Sequence, residues 1–155
     1  MQRLLDGGAN VKWTTPNGFS ALLAAAEGGH EAAVKQLLAN NADVNIQTSS
    51  GYTPLHGAAK KGRSEVVLLM LDKGAGFYAT AKVKGVCDQT ALHFAVSGQS
   101  EEHTTTVDIL LSKGADVDAK TASGETPLHT LLLGGAACWL RVQTIGPRTI
   151  LERRR

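Results

Sequence analysis

The chain has 155 residues, room for one domain or a short array of small repeated units. With 43% hydrophobic and 19% charged residues it is too apolar and too weakly charged for an obligate disordered chain, and its 5% aromatics and 17 glycines call for a core of small, closely packed side chains. The net charge of +2 belongs to the last eight residues, where four arginines face Glu152; the other 147 carry 12 basic against 13 acidic groups and offer nothing to a polyanion.

Cys87 and Cys138 are too few for a disulfide framework and fit a reducing compartment. No charged and then apolar leader opens the chain, and its longest uncharged stretch, 126–140, falls short of the roughly 20 residues a membrane span needs. The expectation is a soluble intracellular protein, cytoplasmic or nuclear.

Internal periodicity is the strongest signal. Leu5-Asp6-Gly7-Gly8-Ala9-Asn10-Val11 recurs as Leu38-Ala39-Asn40-Asn41-Ala42-Asp43-Val44, then as Leu71-Asp72-Lys73-Gly74-Ala75-Gly76-Phe77, and again as Leu111-Ser112-Lys113-Gly114-Ala115-Asp116-Val117. Its alanines are 33, 33 and 40 residues apart. A second marker runs Ser20-Ala21-Leu22-Leu23, Thr53-Pro54-Leu55-His56, Thr90-Ala91-Leu92-His93 and Thr126-Pro127-Leu128-His129, with leucines 33, 37 and 36 apart. Four extra residues around Lys82 to Cys87 and three after Gly98 explain both odd spacings.

Met1 to Leu5 read as the interior of a helix whose unit is truncated. The third unit shows the elements most clearly. Thr53 suits an N-cap and Pro54 the first helical position. Leu55, Ala58 and Ala59 form a slim apolar face, and Gly62 stops the helix after about two turns. Val66, Val67, Met70 and Leu71 predict a second helix, ended by Lys73-Gly74. Polar, glycine-bearing residues then predict a tight turn or hairpin before the next unit. No unit buries its apolar face alone; stacked neighbours do.

These residues resemble the ankyrin repeat: the period, Thr-Pro-Leu-His, Ala-Ala and Gly-Ala-Asp-Val all match. The resemblance implies an all-α solenoid of helix-turn-helix plus hairpin units over 1–136. The expected units are a partial one at 1–14, full ones at 15–47, 48–80 and 81–120, and a degenerate one from 121. Residues 137–155 fall off the pattern, because Gln143 and Thr144 replace paired leucines and Gly146-Pro147 breaks a helix. They are read as a cap or a tail. An ankyrin unit does not naturally begin at Met1, so the chain also reads as a piece of a larger channel, kinase or ubiquitin-ligase protein.

Little here invites chemistry. His56, His93 and His129 hold one slot of successive units, about 10 Å apart in stacked helices, too far to share a metal with ligand distances of about 2 Å. The resemblance implies that they bond backbone near the N-cap and the neighbouring loop, and His30 is read the same way. His103 is expected to be a solvated residue of the Gln99–Thr106 insertion, where Thr104-Thr105-Thr106 beside Glu101-Glu102 offers a phosphorylation site or a merely polar loop. Neither cysteine has a partner at zinc spacing or a base to activate it. Gly7-Gly8, Gly28-Gly29 and Gly134-Gly135 match no phosphate loop. Arg141, Arg148 and Arg153 to Arg155 are read as a solvated tail or an expression remnant. Asn45 resembles the hairpin asparagine hydroxylated in some ankyrin proteins, against a structural role in its own turn. The chain is expected to be no enzyme and to need no cofactor or metal.

Recognition remains. The resemblance implies contacts through hairpin tips and the exposed side of each first helix, a concave face. Slot by slot, the partial hairpin offers Trp13, and the second unit Asn17, Phe19, Glu27 and Gly28. The third offers Ser49, Ser50, Tyr52, Lys60 and Lys61, the fourth Gln89, Ser97 and Gly98, the last Ser123, Glu125 and Leu133. Phe19 and Tyr52 share a slot and are expected to be paired aromatic anchors. Leu68, where the second unit has Lys35, is expected on the outer face, as a second contact or a tolerated single leucine. The expected partner is another protein, with no nucleic acid, membrane or small-molecule substrate.

Overall fold

The computed structural model describes residue 3, residues 7–83 and residues 86–134. Among the described residues there are seven helices: α1 (Ala21–Gly28), α2 (Glu31–Ala39), α3 (Pro54–Lys60), α4 (Ser64–Asp72), α5 (Ala91–Val96), α6 (Glu101–Ser112) and α7 (Pro127–Gly134). A hairpin of β1 (Ala81–Val83) and β2 (Val86–Gln89) precedes α5. The chain from 135 onward, with Cys138 and the arginine-rich tail, lies outside the described residues, as do Met1, Gln2 and residues 4–6.

Helices stack in two rows. α1, α3, α5 and α7 pack successively as an inner row, and α2, α4 and α6 as an outer one. Hydroxyls start the inner helices: Ser20 Oγ accepts from the Leu23 amide at 3.2 Å and Thr53 Oγ1 from the His56 amide at 3.4 Å. The stops lie in the turns, where Gly29 and Gly62 are left-handed at φ 74° and 63°. One buried cluster runs through the array, from Leu22 and Leu37 through Leu55 and Met70 to Leu92 and Leu110. Ala25, Ala26, Ala58, Ala59 and Ala95 within it keep the inner helices close. Small side chains here set the helix spacing.

The two insertions take different forms. The four extra residues before α5 become the β1–β2 hairpin, with Ala81 paired to Gln89 across an irregular register. The three after Gly98 form no loop, contrary to the sequence expectation. They lengthen α6 at its N-terminus, so that His103 and the threonines are helical. Thr106 is fully buried, and its hydroxyl donates to the Glu102 carbonyl at 2.8 Å. Thr105 donates to the Glu101 carbonyl. Burial and helix geometry leave Thr106 no access for modification.

Three slots of the repeat hold left-handed backbone, among them the helix stops at Gly29 and Gly62. Gly18, Gly51 and Gly124 share another, with φ of 80°, 76° and 81°, and Asp88 adopts 66° there. A Cβ on Gly51 would lie 2.5 Å from the Thr80 carbonyl oxygen, where the next strand passes. Gly51→Ala is therefore expected to cost about 2 kcal/mol, and Asp88→Gly to return about 0.5–1 kcal/mol by relieving strain. Urea unfolding of the two variants checks both signs.

Candidate functional site

The tips are closed by one recurring device. The Thr15 amide donates to the Phe19 carbonyl at 3.0 Å, while Thr15 Oγ1 accepts from the Phe19 amide at 3.0 Å. Thr48 treats Tyr52 alike, at 2.9 and 3.1 Å, and Thr121 treats Glu125 alike, at 2.9 and 3.1 Å. Ala81 holds this slot before α5 and has no hydroxyl; there the strand pair does the closing. Tips are tied by backbone: the Ser49 amide donates to the Asn17 carbonyl at 3.0 Å and the Lys82 amide to the Ser50 carbonyl at 2.8 Å.

Between the first two tips opens a groove of about 460 Å³. Asn17, Phe19, Ser49, Ser50 and Tyr52 line it, with Thr15 and Thr48. Sequence reasoning missed the two threonines, although their shared slot, four residues before Phe19 and Tyr52, carries the signal. Phe19 is 39% exposed and its ring is available.

Tyr52 is placed differently from Phe19 despite the common slot. It is half-buried, and its hydroxyl donates to Glu27 Oε1 at 3.3 Å. Its ring stacks on His56 at 5.6 Å and meets Phe94 edge-on at 5.5 Å. Burial first, then the Glu27 carboxylate, push its hydroxyl pKa well above the usual range. Tyr52 thus braces three helix pairs, presenting one edge to the groove. Phe94 holds the slot of Gly57 and Ala24, and its bulk, with the Glu27 carboxylate and the His56 ring, turns Tyr52 from anchor towards strut.

The other expected contact residues are dispersed. Trp13 is 62% exposed and does not line the groove. Lys60 and Lys61 are exposed at the end of α3, Gly28 at the end of α1, and Ser97 just after α5 with Gly98 half-buried beside it. Gln89 on β2 and Glu125 are half-buried, and Ser123 is exposed. The side chain of Leu133 lies outside the described residues. Leu68 is 41% exposed on α4.

His56, His93 and His129 bond the helix starts as expected, whereas exposed His30 stands at the N-cap of α2 and its side chain makes no cap hydrogen bond. His56 Nδ1 accepts from the Thr53 amide at 3.0 Å, and Nε2 donates to the Ala79 carbonyl at 3.0 Å, which assigns the ring proton to Nε2. Burial lowers its pKa to about 4, against the opposing pull of the Ala79 and Gln89 backbone carbonyls. His93 repeats this with Thr90 and the Glu125 carbonyl, its pKa also lowered by burial. His129 bonds Thr126 in the same way. His103 is not the solvated loop residue expected. Its Nδ1 meets Ser100 Oγ at 2.8 Å and its Nε2 meets the Lys60 carbonyl at 3.0 Å. Counting back from Gly114 puts His103 in the slot of Arg63, whose Nε donates to the Glu27 carbonyl. Both side chains reach the end of the preceding inner helix.

Asn45 clamps the next loop: its Nδ2 donates to the Gly74 carbonyl at 3.2 Å and its Oδ1 accepts from the Gly76 amide at 2.8 Å. Among the described residues no three His, Cys, Asp or Glu side chains gather as metal ligands, and no helix is long and apolar enough to cross a membrane.

Residues 1–81 match the family model for ankyrin repeats, in three copies, and residues 87–122 match the model for a single ankyrin repeat. No curated protein matches the chain.

Proposed function

This chain belongs to the ankyrin repeat family, whose repeats are generally protein–protein interaction modules and typically non-catalytic, and we propose that it binds one partner protein through its tip groove and inner-helix face. The array is taken to span 1–136, with full units at 15–47, 48–80 and 81–120. A preformed surface binds without ordering itself first, which lowers the entropic cost of association. The observation that carries this reading is the tip groove, where exposed Phe19 stands among hydroxyl and amide groups on a backbone-tied frame. An accessible aromatic ring beside polar groups is the usual composition of an interface hot spot.

Partner proteins are captured from a native lysate on the wild-type chain, and the affinity of the main one is then measured for Phe19→Ala. Loss of about tenfold, near 1.4 kcal/mol, with unchanged thermal stability is expected. Unchanged affinity would place the contact elsewhere.

A further inference from the structure

Three residues that depart from their neighbours' slots meet on the inner face. Gly57 sits inside α3, where the other units carry Ala24, Phe94 and Thr130. Glycine weakens a helix relative to alanine, and the backbone here is helical, with no left-handed turn to require it. Glu27 stands where the other units have Lys60, Ser97 and Leu133, and Tyr52 where they have Phe19, Gln89 and Glu125.

The reason for the glycine is steric. A Cβ on Gly57 would lie 2.6 Å from Glu27 Cγ, and its three nearest atoms all belong to the Glu27 side chain. That side chain leaves the last turn of α1, lies against the bare backbone of α3 and accepts from the Tyr52 hydroxyl at 3.3 Å. Tyr52 in turn lines the tip groove. Its ring contacts with His56 and Phe94 tolerate sliding, whereas the hydroxyl bond fixes the far end of the ring. An alanine at 57 makes Glu27 withdraw by about 1 Å to reach ordinary carbon contact. A bond already at 3.3 Å does not survive that shift.

Resting on the reading that the tip groove binds a partner protein, we infer that Gly57 and Glu27 are positioning residues for that groove. The missing side chain of Gly57 lets Glu27 reach Tyr52, and Glu27 sets the groove's inner wall through the hydroxyl it holds. Neither residue needs to touch the partner.

Two measurements on the full chain test this, the first without any partner. In urea unfolding, Tyr52→Phe is expected to lower the midpoint of the wild type. It is expected to change nothing further in a Glu27→Leu or Gly57→Ala background, where the bond is already gone. The second measurement is the affinity of the main protein captured on the wild-type chain, after its purification. Tyr52→Phe, Glu27→Leu and Gly57→Ala are each expected to weaken it about fivefold, and Glu27→Leu with Tyr52→Phe no more than either alone. Glu27→Gln, whose amide oxygen still accepts from the hydroxyl, is expected to stay within about twofold of the wild type. Gly57→Ala separates the roles, because alanine favours the helix and a purely structural glycine would leave affinity unchanged.

Additive losses for Glu27→Leu and Tyr52→Phe would make Glu27 a direct contact and overturn the inference. Undiminished affinity in Gly57→Ala, or an equal urea cost of Tyr52→Phe in all three backgrounds, would overturn it as well. If Phe19→Ala weakens the partner and these variants do not, only the positioning role fails. Indifference to Phe19→Ala as well removes the underlying reading.

Discussion

Replacing Leu55 with alanine is expected to remove about 3 kcal/mol of stability. The side chain is 1% exposed on α3, in the middle of the inner row, and belongs to the continuous cluster linking α1 to α5. Truncating a fully buried leucine costs about 2–5 kcal/mol, the transfer of its lost methyl groups plus the cavity left behind. Stacked helix pairs derive stability from nearest neighbours, so damage at a central pair weakens the interfaces on both sides. Calorimetry of a chain this size should show a melting temperature lower by roughly 6–12 °C. Leu68→Ala supplies the contrast, because 41% exposure predicts a change within about 0.5 kcal/mol. Similar losses at the two positions would contradict the packing described for α3.

The second large effect is acid destabilisation centred on His56. Its neutral ring bridges the Thr53 cap and the Ala79 carbonyl, and burial lowers its pKa from 6.5 to about 4. Above pH 6.5 the ring is neutral folded and unfolded, so the contribution is fully present. Between 6.5 and 4 the unfolded chain binds a proton that the native ring refuses, and stability falls as pH falls. Below about 4 both forms are protonated and the loss is complete, on the order of 3 kcal/mol for this shift. His93, lowered in the same direction by its own burial, adds to the loss. Urea midpoints between pH 6.5 and 5, where carboxylates stay ionised, should fall steadily in the wild type and less steeply in His56→Gln. Equal slopes would mean that His56 titrates normally in the folded chain.

The helix pairs, their caps and the roles of His56, His93 and His129 were legible because each rests on local chemistry repeated at a fixed period. Thr53, Pro54 and His56 specify one helix start whatever surrounds them. Slot position also revealed the outward direction of Leu68. Contacts whose strength depends on the size of a neighbour in another unit were harder to read. Phe19 and Tyr52 look alike by slot, yet a phenylalanine at position 94, where the preceding pair has Gly57, gives Tyr52 an edge-on partner and helps make it a brace. His103 was obscured for a different reason. Its polar neighbours suggested a loop, but Val107 and Leu110 keep the helical register of Val67 and Met70, so the extra residues extend α6 backwards. Asp88 shows a third case, in which a strained backbone slot survives the loss of its usual glycine because the lengthened hairpin spans it.

Amide hydrogen exchange of the chain, free and saturated with its captured partner, tests most directly whether the tip groove is the binding face. Binding there slows exchange at residues 15–19, 48–52 and the end of α3 and leaves α2 and α4 unchanged. Protection confined to α2, α4 and α6, with the tips exchanging as in the free chain, would contradict it.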